Sequence, residues 1–139
     1  MNKVLIAVYG TLKEGEPNYP HYLENSKKLS NTNIKGKLFQ FLNRSYPVII
    51  ESNSTVTDCE IYEVDTDTLL ALNRMEGGAG YRLGVQHIKV DNKNNPVFYF
   101  YMSNNDKYKQ EQHGEKFIPI DNYSHKTVKE TQNAYVDKK

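Results

Sequence analysis

The sequence predicts an α+β domain: a small mixed, mostly antiparallel sheet curled into a barrel, with helices at its flanks. Short apolar or alternating stretches recur along the chain, about six of them, against two or three helical ones. Clusters of Gly, Pro and Asn separate these stretches at close spacing. Between residues 65 and 76 alone does a strong helix start precede a helical apolar spacing.

The elements follow in order. Residues 3–9 are apolar and β-branched and end at Gly10, which predicts a buried strand. Residues 11–20 hold Gly15, Pro17, Asn18 and Pro20 and predict a long loop. A short helix is expected over 21–29. Residues 34–42 alternate, with Ile34, Gly36 and Leu38 against Lys35 and Lys37, and predict one strand with a wet face. Further strands are expected over 46–50, opened by a proline, and over 56–64.

Asp65-Thr66-Asp67-Thr68 supplies N-cap chemistry for a helix over 68–75, and Gly77-Gly78 is expected to stop it. Residues 81–90 and 97–102 predict a hairpin around a turn at 91–96. Beyond Ser103 the pattern weakens: a polar run to Lys116, an apolar patch at 117–120, then a charged end expected to fray. A domain over 1–120 and a partly ordered polar tail over 121–139 are the expected division.

A length of 139 residues suits one domain. The aromatic share is 12%, with 11 Tyr and 5 Phe, which argues against disorder. Lys and Arg number 18 against 17 Asp and Glu, so the net charge of +1 excludes a broadly basic nucleic-acid binder. The apolar run at the start is too short for a membrane span, and no signal peptide is expected. The single Cys59 favours a reducing, cytoplasmic setting, and burial in its strand is its default. His21, His87, His113 and His125 are scattered without zinc-ligand spacing, so no metal is expected. The paired Lys27-Lys28 and Lys138-Lys139 read as solvated surface. Nothing in the sequence bears on oligomeric state.

Three features carry chemistry. Tyr9-Gly10-Thr11-Leu12-Lys13 follows the first strand directly. A Gly at a strand end lets the backbone turn and leaves successive N–H groups unpaired, able to cradle a carboxylate or an oxyanion. The same string also fits an ordinary strand-ending turn. Glu76 stands at a helix C-terminus beside Leu72 and Met75. The dipole and desolvation both raise a carboxyl pKa there, toward the range of a general base; a solvated Glu on a frayed end fits as well. Tyr81, Tyr99 and Tyr101, with Tyr9 and Tyr22, offer pocket walls with hydroxyls, or packing alone. Arg82 fits a carboxylate ligand or a surface ion pair.

Taken in order, these strings resemble the gamma-glutamylcyclotransferase-like family, in particular its gamma-glutamylamine cyclotransferase branch. The matching segments are Val8-Tyr9-Gly10-Thr11-Leu12-Lys13, Gly15-Glu16-Pro17-Asn18, Tyr46-Pro47, Glu60-Ile61-Tyr62-Glu63-Val64, Leu72-Asn73-Arg74-Met75-Glu76-Gly77 and Tyr81-Arg82. Asn73 stands where the family usually has Asp, and Cys59 where Gly usually precedes the strand. The resemblance implies a small mixed β-barrel whose pocket floor is the turn after the first strand. It implies Glu76 as catalytic acid/base above the floor of Tyr9, Gly10, Thr11 and Leu12; Tyr81, Arg82 and, from the Tyr-rich strand, Tyr99 are expected with them around a small-molecule gamma-glutamyl substrate. It also implies release of 5-oxoproline with neither cofactor nor metal, and no nucleic-acid or membrane partner. The leaving group stays open between an amine and an amino acid. A non-catalytic module that binds a small ligand on the same fold is the competing expectation, since fold alone does not fix function.

Overall fold

The computed structural model describes residues 2–137; Lys138-Lys139 lies outside the described residues. The first strand, β1 (Lys3–Val8), is buried on both faces. Ile6 and Val8 point to one side and Ala7 and Tyr9 to the other, the period-two alternation of a strand. That explains its unbroken apolar run. A single-turn helix, α1 (Tyr19–Tyr22), follows the loop, with a proline in its first turn.

The helix expected over 21–29 does not form. Residues 27–35 are instead strand β2 (Lys27–Lys35), at the edge of the main sheet. Its polar composition suits an edge strand with one wet face. The strand expected over 34–42 is broken at Gly36, beyond which β3 (Lys37–Phe41) begins. Gly36 has φ +144°, and a Cβ there would sit 2.6 Å from Ile49 Cδ1. Only glycine lets the chain leave one sheet for the next at that crowded point.

Strands β4 (Pro47–Ile50) and β5 (Val56–Asp65) follow as expected. Helix α2 (Thr66–Gly78) starts where the capping residues place it, with Asp65 Oδ1 accepting from Thr68 N at 2.8 Å. It runs through Gly77 and Gly78 rather than stopping at them. The residue with positive φ is Gly80, at +94°. Strands β6 (Arg82–Val90) and β7 (Lys93–Tyr101) form the expected hairpin, but its turn is only Asp91-Asn92, at φ +53° and +66°. Asn and Asp tolerate that conformation best after Gly, so the strands extend into the segment expected to be a longer turn.

The polar run after Ser103 forms helix α3 (Asn104–Gln112), capped by the Ser103 hydroxyl on Asp106 N at 3.1 Å. The apolar patch forms the short strand β8 (Phe117–Pro119). Residues 128–137 form helix α4 (Val128–Asp137), and Tyr123 and Val128 are buried in the core.

The main sheet has the order β2-β5-β1-β7-β6, antiparallel except for β1 beside β7. A second sheet has the order β4-β3-β8. The main sheet curls until its edges meet. There the Gln86 amide donates to the Lys35 carbonyl oxygen at 2.8 Å and accepts from its N–H at 2.9 Å, mimicking one step of a ladder. Helix α2 covers the outer face through Leu69 and Leu72, packed with Ile6, Val8, Tyr62 and Val64. The inner face packs on Leu38 and Ile49 of the second sheet. This is the curled α+β architecture the sequence predicts.

Candidate active site

A cavity of about 460 Å³ opens where β1 ends, between the two sheets and the C-terminal end of α2. That volume suits a small metabolite. Its floor is the turn after β1. Lys13 N donates to the Gly10 carbonyl at 3.0 Å, which closes the turn, and Asn18 clasps Thr11 through both its backbone N–H and its side chain, each at 2.9 Å. The N–H groups of Gly10, Thr11 and Leu12 meet no protein acceptor among the described residues. Gly10 and Leu12 are buried, and buried N–H groups are nearly always paired. A wall of unpaired N–H groups is suited to an anionic oxygen of a ligand.

Gly10 does not have the positive φ expected of a glycine that ends a strand; the reason for glycine here is packing. A Cβ at this position would come within 2.8 Å of Pro47 Cγ, so the turn and the Pro47 ring lie in direct contact. Tyr9 ties this corner together. Its hydroxyl donates to the Phe100 carbonyl at 2.7 Å and accepts from Ile49 N at 3.1 Å, joining β7 to β4.

Glu76 enters the cavity from the last turn of α2. The end of that helix is a Schellman motif: Tyr81 N–H reaches the Glu76 carbonyl at 3.0 Å, and Gly80 N–H reaches that of Gly77 at 3.1 Å. The motif sets Tyr81 beside Glu76 on the cavity wall. Burial pushes the Glu76 carboxyl up to about 7. Neither neighbouring tyrosine relieves it, because both hydroxyl protons point elsewhere. That of Tyr9 goes to Phe100, and that of Tyr81 to the Pro47 carbonyl at 2.5 Å. A carboxylate that receives no hydrogen bond in an apolar setting holds its proton near neutrality.

Of the residues expected at the site, Tyr9, Gly10, Thr11, Leu12, Glu76 and Tyr81 line the cavity together. Arg82 does not. It is exposed and forks onto Asp106, Nε to Oδ2 at 2.6 Å and Nη2 to Oδ1 at 3.2 Å. As the next residue after Tyr81, at the start of a strand, it turns to the opposite side. Tyr99 also lies off the cavity, with its ring 5.4 Å from that of Tyr101 and both covering Gly84. The neighbouring Phe100 takes the cavity position instead. Cys59 is buried, and burial with the flanking Asp58 and Glu60 pushes its thiol up to about 12, away from nucleophilic use.

The remaining wall comes from segments that sequence reasoning did not single out for chemistry. Tyr46 and Pro47 border the turn, and Tyr46 packs edge-on to Tyr81 at 6.1 Å. Tyr46-Pro47 is among the segments of the resemblance, as is Pro17-Asn18, which also lines the cavity. Tyr123, His125, Val128 and Lys129 close the opposite side. Specific bonds fasten that segment: Lys13 Nζ to the Tyr123 carbonyl at 2.8 Å, the Tyr123 hydroxyl to the Ser45 carbonyl at 2.6 Å, and Glu16 Oε1 to His125 N at 2.8 Å and Nδ1 at 2.9 Å. A polar stretch without periodicity gives no hint of such long-range bonds. Among the described residues no group of His, Cys, Asp and Glu side chains forms a metal cluster, and no helix is long and apolar enough to cross a membrane.

A protein of Pyrococcus horikoshii that carries the provisional name gamma-glutamylcyclotransferase is 41% identical over 80 residues, 58% of this chain and 66% of the relative. One from Methanocaldococcus jannaschii with the same provisional name is 35% identical over 78 residues, 55% of this chain and 63% of the relative. The matched stretch thus spans just under two-thirds of these relatives' own length. Among solved structures, the crystal structure of an uncharacterised Pyrococcus horikoshii protein superposes with a TM-score of 0.55 at 28% identity, covering 80% of this chain and 97% of that one. An AIG2-like protein from mouse has the same fold, with a TM-score of 0.65 at 22% identity over 73% of this chain and 78% of the other. The sequence profile described as gamma-glutamyl cyclotransferase, AIG2-like, matches residues 6–125, a stretch that runs through the turn after β1, the Schellman end of α2 and most of the cavity wall. The chain belongs to the gamma-glutamyl cyclotransferase, AIG2-like family.

Proposed function

We propose that this chain is a cyclotransferase that releases 5-oxoproline from a gamma-glutamyl compound. The observation that carries it is Glu76: a carboxyl held near pKa 7 by burial, in a cavity whose floor presents the unpaired N–H groups of Gly10, Thr11 and Leu12. A base that is about half ionised at neutral pH can both take and return a proton.

The substrate's α-amine is the nucleophile and its own γ-carbonyl carbon the electrophile. As the N–C bond forms, Glu76 removes a proton from the amine nitrogen. The carbonyl oxygen takes up negative charge, and the free N–H groups of the turn are the groups suited to hold it or the α-carboxylate. Collapse of the tetrahedral centre breaks the bond to the leaving nitrogen, which receives the proton from Glu76. The products are 5-oxoproline and a free amine, and Glu76 is again ionised. Because attack is intramolecular, the cavity contributes chiefly by holding the glutamyl chain folded on itself.

The test is 5-oxoproline release from a panel of gamma-glutamyl amino acids and amines, with Glu76→Gln assayed in parallel. The wild type should release it, and the variant should lose about two to four orders of magnitude of kcat. No release from any panel member by folded wild-type protein would overturn the proposal and favour a ligand-binding module on this fold.

A further inference from the structure

The cavity wall is electrically one-sided. Apart from Glu76, the charged or chargeable side chains that line it are His125 and Lys129, both on the segment from Tyr123 to α4. The ammonium of Lys129 pairs with no carboxylate or carbonyl among the described residues. Two other charges near this edge, Lys13 and Glu16, are already engaged. Lys13 donates to the Tyr123 carbonyl, and Glu16 is occupied by His125 through one oxygen that serves both its N–H and its ring. Glu16 is not a wall residue, and its side chain is only 10% exposed. The wall therefore offers an unpaired cation and, besides the base, no anion.

The turn after β1 and Glu76 serve the glutamyl half of the substrate, which leaves the Tyr123–Lys129 side for the departing amine. We infer that Lys129 selects the leaving group, favouring an amine that bears a carboxylate, such as an amino acid, over a neutral alkylamine and over a second ammonium. This rests on the cyclotransferase reading above. A leaving group with its own cation would meet Lys129 without a neutralising partner, and like-charge contact is a common device for rejecting a wrong ligand.

The experiment compares substrates of nearly equal size: gamma-L-glutamylglycine, gamma-L-glutamylethylamide and gamma-L-glutamyl-(2-aminoethyl)amide. Their leaving groups are anionic, neutral and cationic. Wild-type kcat/KM should fall in that order. Lys129→Met should cut the preference for the glycine over the ethylamide about threefold to fivefold, the range of a partly exposed charge pair. Lys129→Glu should cut it further, by about tenfold, and raise the aminoethyl compound above the glycine one. Lys129 is exposed, so both variants should fold, and their melting curves check this. An unchanged preference, or an equal loss on all of these substrates, would overturn the inference while the cyclotransferase reading stands. An equal loss would assign Lys129 to the glutamyl carboxylate that all of them share. Absence of turnover with every compound by folded wild-type protein would remove both.

Discussion

The backbone N–H of Tyr81 donates to the carbonyl oxygen of Glu76 at 3.0 Å. One helix ending thus positions both the candidate base and the aromatic wall next to it. Gly80 makes this possible at φ +94°, where a side chain costs about 1–2 kcal/mol. Gly80→Ala should therefore destabilise by about that much, although only Gln110 Nε2, at 3.8 Å, would lie near the new Cβ. Gly77→Ala should do the opposite. Gly77 lies inside α2 with nothing within 4 Å of a built Cβ, so the change should stabilise by about 0.5–1 kcal/mol. Urea unfolding of the two variants should give opposite signs.

The role proposed for Glu76 sets activity against stability. In the folded chain it keeps its proton to about pH 7, whereas the ordinary value is 4.5. Between those limits the unfolded chain binds fewer protons, so stability falls as pH rises and levels off above pH 7. The full penalty is roughly 3 kcal/mol. Glu76→Gln removes the ionisation, so it should be the more stable protein at pH 8 and lose that advantage by about pH 4.5. Activity should run the other way: wild-type kcat/KM should rise with pH through about 7 as the base ionises. Melting curves and initial rates over one pH series test both halves. A variant no more stable than wild type at pH 8 would mean that Glu76 is not desolvated in the folded chain.

Tyr9→Phe separates support from chemistry. The hydroxyl serves Phe100 and Ile49, not Glu76. Its loss leaves a buried carbonyl and a buried N–H unpaired, at a cost of about 1–3 kcal/mol. Chemical denaturation should show that loss, while the acid limb of the rate profile should stay near pH 7. A displaced limb would show that the hydroxyl does act on the base.

How far these parts are legible in the sequence depends on whether their causes are local. The Asp65 cap and the turn after Tyr9 are set by neighbours within a few residues, and both are where the sequence places them. Strand β2 is not legible, because Lys-Lys-Leu-Ser-Asn-Thr-Asn becomes a strand only through pairing with β5. The break at Gly36 depends on the Ile49 side chain, which arrives from another strand. At the site the errors are errors of face. Tyr81 with Arg82, and Tyr99 with Phe100, are adjacent pairs whose side chains leave the strand on opposite sides, and in each pair one member lines the cavity. The residues at 123–129 reach it through bonds such as Lys13 to Tyr123, a separation that no local pattern records.

The Gly10 contact with Pro47 is the sharpest test of how the floor is built. β1 and β4 belong to different sheets, and the turn after β1 presses on the proline that opens β4. In Gly10→Ala the new methyl would start 2.8 Å from Pro47 Cγ and 3.0 Å from Cδ. Real carbon contacts need about 3.5 Å or more, so the turn, the proline or both must shift by several tenths of an ångström. The ring is closed onto the backbone nitrogen and cannot rotate aside as a flexible side chain would. Overpacking of this kind costs about 1–3 kcal/mol. The displacement falls on the N–H groups of Gly10, Thr11 and Leu12, so it should also misplace the groups suited to the developing oxyanion. Pro47→Ala removes the clashing ring atoms, and the double variant Gly10→Ala with Pro47→Ala should recover part of the stability that Gly10→Ala loses. A double-mutant cycle on unfolding free energy and on kcat/KM measures this. Strictly additive losses would mean that the two residues do not press on each other.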